Sequence, residues 1–185
     1  MDTASGELRI FAYGSLMWDP EYVRFEICRA LLQGYARSFC VWTVHARGTP
    51  AMPGLALGLR RASSAECYGT VLSLNTSTQQ LQLEALWERE IWTGIYRPEW
   101  VIVSSGKRSF RAVTFVVDED HPQYAGVLPQ AELAQHIAQA KGVFGTCRDY
   151  FYQSIRSLSA VNGERDEFAD LETQVRKVMA QGDLD

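Results

Sequence analysis

The chain opens its readable pattern at Leu8 to Tyr13, a compact apolar run closed by Gly14-Ser15, and this predicts a first buried strand. Leu32 to Val44 is rich in aromatic and β-branched residues and predicts a long strand, bent at Gly34. Breakers from Gly48-Thr49-Pro50 through Pro53-Gly54 mark a loop. Leu55 to Arg60 and Cys67 to Leu74 read as two strands joined by a polar turn around Ser63-Ser64. Thr76-Ser77-Thr78 offers N-cap residues for a helix that Gly94 ends. Tyr96 to Ser104 and Phe110 to Val117 predict a hairpin about Gly106-Lys107.

Beyond Pro122 the pattern turns helical. Pro129 suits the first turn of a helix running to Lys141. Asp149 to Leu158 is a second helix, and Asp166 to Ala180 a third, with Phe168, Leu171, Val175 and Val178 as its apolar stripe. The expected architecture is α+β: an antiparallel-leaning sheet or barrel with one internal helix, closed by C-terminal helices. No repeat or linker-like run divides the chain, so residues 1–185 read as a single domain with a core from about residue 8 to 180.

Composition narrows the partners. A net charge of −4 argues against nucleic acid or an anionic membrane as the main partner. No apolar run approaches the ~20 residues that span a bilayer, and MDTASGELRI lacks a signal pattern, so a cytoplasmic location is expected. Cys28, Cys40, Cys67 and Cys147 form no C-x-x-C pair, and Cys40 and Cys67 read as small buried hydrophobes. His45, His121 and His136 are scattered, read as loop or helix-surface residues, and give no metal-ligand spacing. Neither a zinc site nor a Cys-His pair is expected.

The candidate chemistry starts in the helix that follows residue 78. In Leu83-Glu84-Ala85-Leu86-Trp87-Glu88-Arg89-Glu90, the residues Leu83, Leu86 and Trp87 follow the i, i+3, i+4 spacing of a buried stripe. The next member of that series is Glu90, while Glu84 and Glu88 share the opposite, solvent-facing side. An inward carboxylate is expensive unless paired. Glu90 is therefore either a structural partner for an arginine or a backbone donor, or a general base strengthened by an apolar flank.

A second feature lies at the first strand's end. A strand that stops at Gly14-Ser15 between aromatics exposes consecutive backbone N–H groups, and such a turn can cradle an anion. It has neither G-x-G-x-x-G nor G-K-[ST], so it is no nucleotide loop. Taken alone it reads as a plain strand-to-loop turn. Beside an inward carboxylate it suggests an amino-acid-like substrate, whose α-carboxylate meets the turn and whose α-ammonium meets Glu90.

Four short motifs then occur in order: Y-G-S-L-M-W-x-P from Tyr13, R-G-T-P-x-x-P-G at 47–54, L-W-x-R-E at 86–90 followed by T-G-x-Y, and a tyrosine in the penultimate helix. Together they resemble the ChaC-like γ-glutamylcyclotransferases, which are glutathione-specific, over nearly the whole chain. The resemblance implies a small mixed β-barrel with one internal helix and C-terminal flanking helices. It implies that Glu90 is the catalytic glutamate, that Phe11, Ala12, Tyr13, Gly14, Ser15 and Leu16 form the loop that holds the γ-glutamyl group, and that Tyr150 lines the pocket. Arg47 is carried over as a substrate-side residue. Two departures stand out: Ala12 replaces the first glycine of the F-G-Y-G-S-L common in the family, and Asp19 stands where asparagine is common.

The implied reaction is intramolecular and requires no metal and no organic cofactor. Glu90 takes a proton from the substrate's α-ammonium group, and the freed amine attacks the γ-amide carbonyl. The ring closes as 5-oxoproline and cysteinylglycine leaves. Two alternatives stay open at this level: the same chemistry on other γ-glutamyl amino acids or amines, and a non-catalytic module that only binds glutathione. Nothing in these residues sets an oligomeric state.

Overall fold

In a computed structural model the chain is described over residues 8–18, 25–74, 79–91, 93–162 and 167–182. The elements are β1 (Arg9–Ala12), a 3-10 turn (Ser15–Met17), β2 (Phe25–Thr43), β3 (Gly54–Ser73), α1 (Gln79–Ile91), β4 (Tyr96–Ser105) and β5 (Arg108–Val117). They are followed by α2 (Gln130–Gln139), the short strands β6 (Lys141–Gly142) and β7 (Gly145–Thr146), α3 (Cys147–Asn162) and α4 (Ala169–Gly182). The caps expected at Thr76-Ser77-Thr78, the helix start at Asp166, the departure at Asp19 and both chain ends lie outside the described residues.

Five strands close a barrel in the order β1-β3-β2-β4-β5. β1 runs antiparallel to β3, with Arg9 opposite Ser73 and Ala12 opposite Thr70. It runs parallel to β5 through Ile10 and Val113, so the barrel is mixed. β4 and β5 form the expected hairpin, closed at Ser105 and Arg108 around Gly106-Lys107. The described residues gather into two compact units, one comprising those up to Ser38 with Leu59–His121, the other Phe39–Gly58 with those from Pro122 onward.

In the first unit, the period-2 alternation of β1 explains its unbroken apolar run. Phe11 and Tyr13 join an interior cluster with Leu32, Leu59, Val71 and Val103. Ile10 and Ala12 face the other way, into a second cluster with Leu72, Leu74, Phe115 and Leu86 of α1. A strand buried on both faces has no polar side to show. The second half of β5 does the same, with Ala112 and Val116 inside and Val113 and Phe115 in the α1 cluster. β4 instead alternates, burying Val101 and Val103 while Trp100 and Ile102 are more than half exposed.

Two expectations need correcting. Leu55–Arg60 and Cys67–Ser73 are parts of one continuous strand, β3, which stops one residue before the expected Leu74, and Ser63-Ser64 is its exposed middle. The polar stretch records solvent exposure, and it holds no glycine or proline to turn the chain. β2 is also longer than predicted, starting at Phe25. Gly34 sits within it at φ +81, the left-handed region, where the bend was expected.

The second unit is built on aromatic and helical packing. Phe39 meets the rings of Tyr150, Phe151 and Phe168 at centroid distances of 6.3, 5.4 and 5.1 Å. α2 buries Ala134 and Ile137, and α4 buries Leu171 and Val175, while Phe168 and Val178 of the expected stripe are half-buried. Pro129 caps α2, and its carbonyl accepts from the Leu133 N–H at 3.0 Å. Among the described residues no helix is long and apolar enough to cross a membrane.

Candidate active site

Glu90 stands on the last turn of α1, half-buried, while Glu84 and Glu88 are exposed, as the helical phase requires. Leu86, one turn earlier on the same face, is fully buried. It shares its cluster with Leu16, and Met17 packs against that cluster too. The apolar cluster beneath this face of α1 thus also takes in the residues that follow Gly14-Ser15. Trp87 departs from the expected stripe: it is 40% exposed, and its ring rests on the edge of Phe115 with centroids 6.1 Å apart. It lies at the border of the apolar face and not within it.

The loop is held closely where it leaves β1. Phe11 and Ala12 are buried, the ring of Phe11 inside the barrel and the methyl of Ala12 in the α1 cluster. The Tyr13 hydroxyl donates to the Phe115 carbonyl at 2.8 Å. The chain then enters a single 3-10 turn, with Met17 N–H donating to Gly14 O at 2.9 Å and Trp18 N–H to Ser15 O at 3.1 Å. Gly14 and Ser15 are half-buried and Leu16 is buried. Tyr13 also carries a contact that no motif or periodicity announces. Arg37 on β2, buried to 5% exposure, donates through Nη1 to the Tyr13 carbonyl at 2.9 Å.

Arg47 and Tyr150 meet each other in the second unit. The Arg47 guanidinium lies 5.6 Å from the Tyr150 ring centroid and donates to the Phe144 carbonyl. Its backbone N–H donates to Thr43 Oγ1 at 3.2 Å. Tyr150 is 7% exposed, and its hydroxyl accepts from the Leu57 N–H at 3.2 Å. The R-G-T-P-x-x-P-G motif has a folding reason. A Cβ on Gly48 would lie 2.0 Å from Gly54 N, and one on Gly54 would lie 2.4 Å from Arg47 O. Only glycines let the two ends of this loop touch and so fix the backbone beneath Arg47.

Two neighbours of that loop were invisible in the sequence. His136 is half-buried on α2 and not a surface residue: its Nδ1 lies 2.7 Å from the Pro53 carbonyl, a geometry in which Nδ1 carries the proton. Its ring also meets Trp42 edge-on at 4.7 Å. The Cys147 thiol, fully buried, accepts from Leu55 N–H at 3.2 Å and donates to Leu55 O at 3.3 Å. Burial pushes that thiol up to about 11, against a smaller opposing effect of the Leu55 backbone hydrogen bond and the Arg47 charge. A protonated thiol is a structural group here, not a nucleophile.

A closed five-stranded mixed barrel with an internal helix is the γ-glutamylcyclotransferase fold. The chain matches, with a TM-score of 0.83 and 21% identity, a selenomethionine-labelled γ-glutamylcyclotransferase specific to glutathione from yeast, over 92% of this chain and 96% of that one. A family model described as ChaC-like protein matches residues 8–178, and the chain belongs to that family. Among its relatives is the glutathione-specific γ-glutamylcyclotransferase of Escherichia coli (strain K12), 33% identical over 95% of this chain and 76% of that protein. Another is γ-glutamylcyclotransferase 2-3 of Arabidopsis thaliana, 26% identical over 94% of this chain and 91% of that protein.

Proposed function

We infer that this chain is a glutathione-specific γ-glutamylcyclotransferase with Glu90 as its base. The observation that carries the reading is the half-buried Glu90, one helical turn beyond Leu86, which belongs to the same buried cluster as Leu16 of the Gly14–Leu16 loop. The loop backbone receives the γ-glutamyl group. The Glu90 carboxylate takes one proton from the α-ammonium, and the neutral amine attacks the γ-carbonyl carbon, forming the new C–N bond of the ring. As the tetrahedral intermediate collapses, the amide C–N bond breaks, the Glu90 carboxyl returns its proton to the departing amine of cysteinylglycine, and the ring nitrogen gives up its second proton, which brings that amine to its ammonium form. Nucleophile and electrophile share one molecule, so holding the substrate folded does much of the work, an effect worth roughly 7–11 kcal/mol in well-oriented systems.

Arg47 and Tyr150 belong to the substrate side of this reading. An Arg guanidinium suits a carboxylate through paired N–H donors, and a buried tyrosine offers a flat apolar wall. Cys28, Cys40, Cys67 and Cys147 are all thiols, which suits a reducing compartment, and we assign the enzyme to the cytoplasm.

A substrate panel tests the reading. Reduced glutathione and γ-glutamyl-alanine are supplied separately and 5-oxoproline is followed by mass spectrometry. Product from glutathione alone is expected. Product only from the dipeptide would keep the chemistry and overturn the substrate; tight glutathione binding without product would make the chain a binding module.

A further inference from the structure

Arg37 belongs to none of the motifs, and its position is costly. A buried cation is expensive even when paired, and an apolar side chain of similar size fills a barrel at lower cost. Its place in the β1–β3 ladder explains what the cation does. The last backbone pair of that ladder is Ala12 with Thr70. Immediately beyond it, the carbonyls of Tyr13 and Tyr68 both turn to Arg37 Nη1, each at 2.9 Å. The guanidinium takes over as donor where strand pairing stops.

Gly69, between those partners, shows how tight this point is. A Cβ there would lie 2.3 Å from Ala12 O and 2.7 Å from the Phe11 ring. The end of β1 is thus pressed against β3, gripped by Arg37 at the Tyr13 carbonyl and by Phe115 at the Tyr13 hydroxyl. The next residue is Gly14.

We propose that Arg37 is a positioning residue for the reaction: by gripping the Tyr13 carbonyl it sets the direction in which the Gly14–Leu16 backbone leaves the barrel to meet the γ-glutamyl group. This rests on the reading of that loop as the substrate-holding segment. In this role Arg37 acts through the loop backbone and not on a reacting atom. Its loss therefore weakens substrate holding and leaves the proton chemistry of Glu90 in place.

The test uses full-length Arg37→Gln and Arg37→Lys chains, with two readouts. In steady-state 5-oxoproline release, Arg37→Gln raises the KM for glutathione by about tenfold, the scale set by a charge-assisted hydrogen bond, while kcat stays within about threefold. The pH profile of kcat is unmoved, and Arg37→Lys falls between wild type and Arg37→Gln. In hydrogen exchange without substrate, the segment 13–18 exchanges about tenfold faster and the β4–β5 hairpin keeps its wild-type rate. An unchanged KM in a folded variant, or equal acceleration of exchange in loop and hairpin, would overturn the proposal. So would failure of both variants to fold, since Arg37 would then serve the barrel as a whole. A wild-type chain that makes no 5-oxoproline sinks the functional reading instead, and the exchange data alone then decide whether Arg37 holds the loop.

Discussion

At the level of single residues, helical phase alone singles out Glu90, because its neighbours Glu84 and Glu88 cannot share its face. Arg37 escaped, since an isolated charged position inside a long strand has no periodic signature. His136 and Cys147 escaped for a related reason: their partners are backbone carbonyls and amides more than 80 residues away. Cys147 nevertheless makes a prediction. Its thiol stays protonated in the fold up to about 11, whereas in the unfolded chain it ionises near its ordinary 9.0. The stabilisation is complete below about pH 9 and is lost as pH rises toward about 11, because there the unfolded chain binds fewer protons. The difference between the folded and unfolded thiol is worth roughly 3 kcal/mol. Urea midpoints at about pH 8 and about pH 10.5 should fall further for wild type than for Cys147→Ser, which lacks this titration. Equal falls would show that Cys147 does not govern alkaline stability.

Among elements, the order was legible and several boundaries were not. The β4–β5 hairpin and α2 came through because glycine and proline punctuate them. β3 was divided in two because an exposed polar middle and a turn give the same local composition. α1 matters most to the chemistry, since it carries Glu90, and its grip on the barrel passes through the fully buried Leu86. Leu86→Ala should cost about 2–5 kcal/mol of stability, read as a lower urea midpoint. Turnover at a temperature where the variant is still folded should fall as well, because Glu90 sits one turn along the same face. A variant that loses stability with kcat unchanged would separate the packing of α1 from the placement of its carboxylate.

For the whole molecule, the α+β class and a barrel with one internal helix followed from the residue pattern and the resemblance together. The residue pattern alone left a sheet and a barrel both open, and the closed form came from the resemblance. Closure depends on the parallel pairing of Ile10 with Val113, strands about a hundred residues apart, and periodicity carries no information on register. The division of the described residues into two compact units also left no mark, because no linker composition accompanies it. If one carboxylate drives an intramolecular cyclisation, removing that carboxylate must stop the reaction without unfolding the chain. The decisive comparison is 5-oxoproline release from glutathione by wild type and Glu90→Gln, with circular dichroism to confirm that both are folded. Glu90→Gln keeps the side chain's shape and removes the base, so a folded variant whose turnover drops by at least about a thousandfold is expected. Substantial residual turnover in the folded variant would contradict this and move the base to another residue.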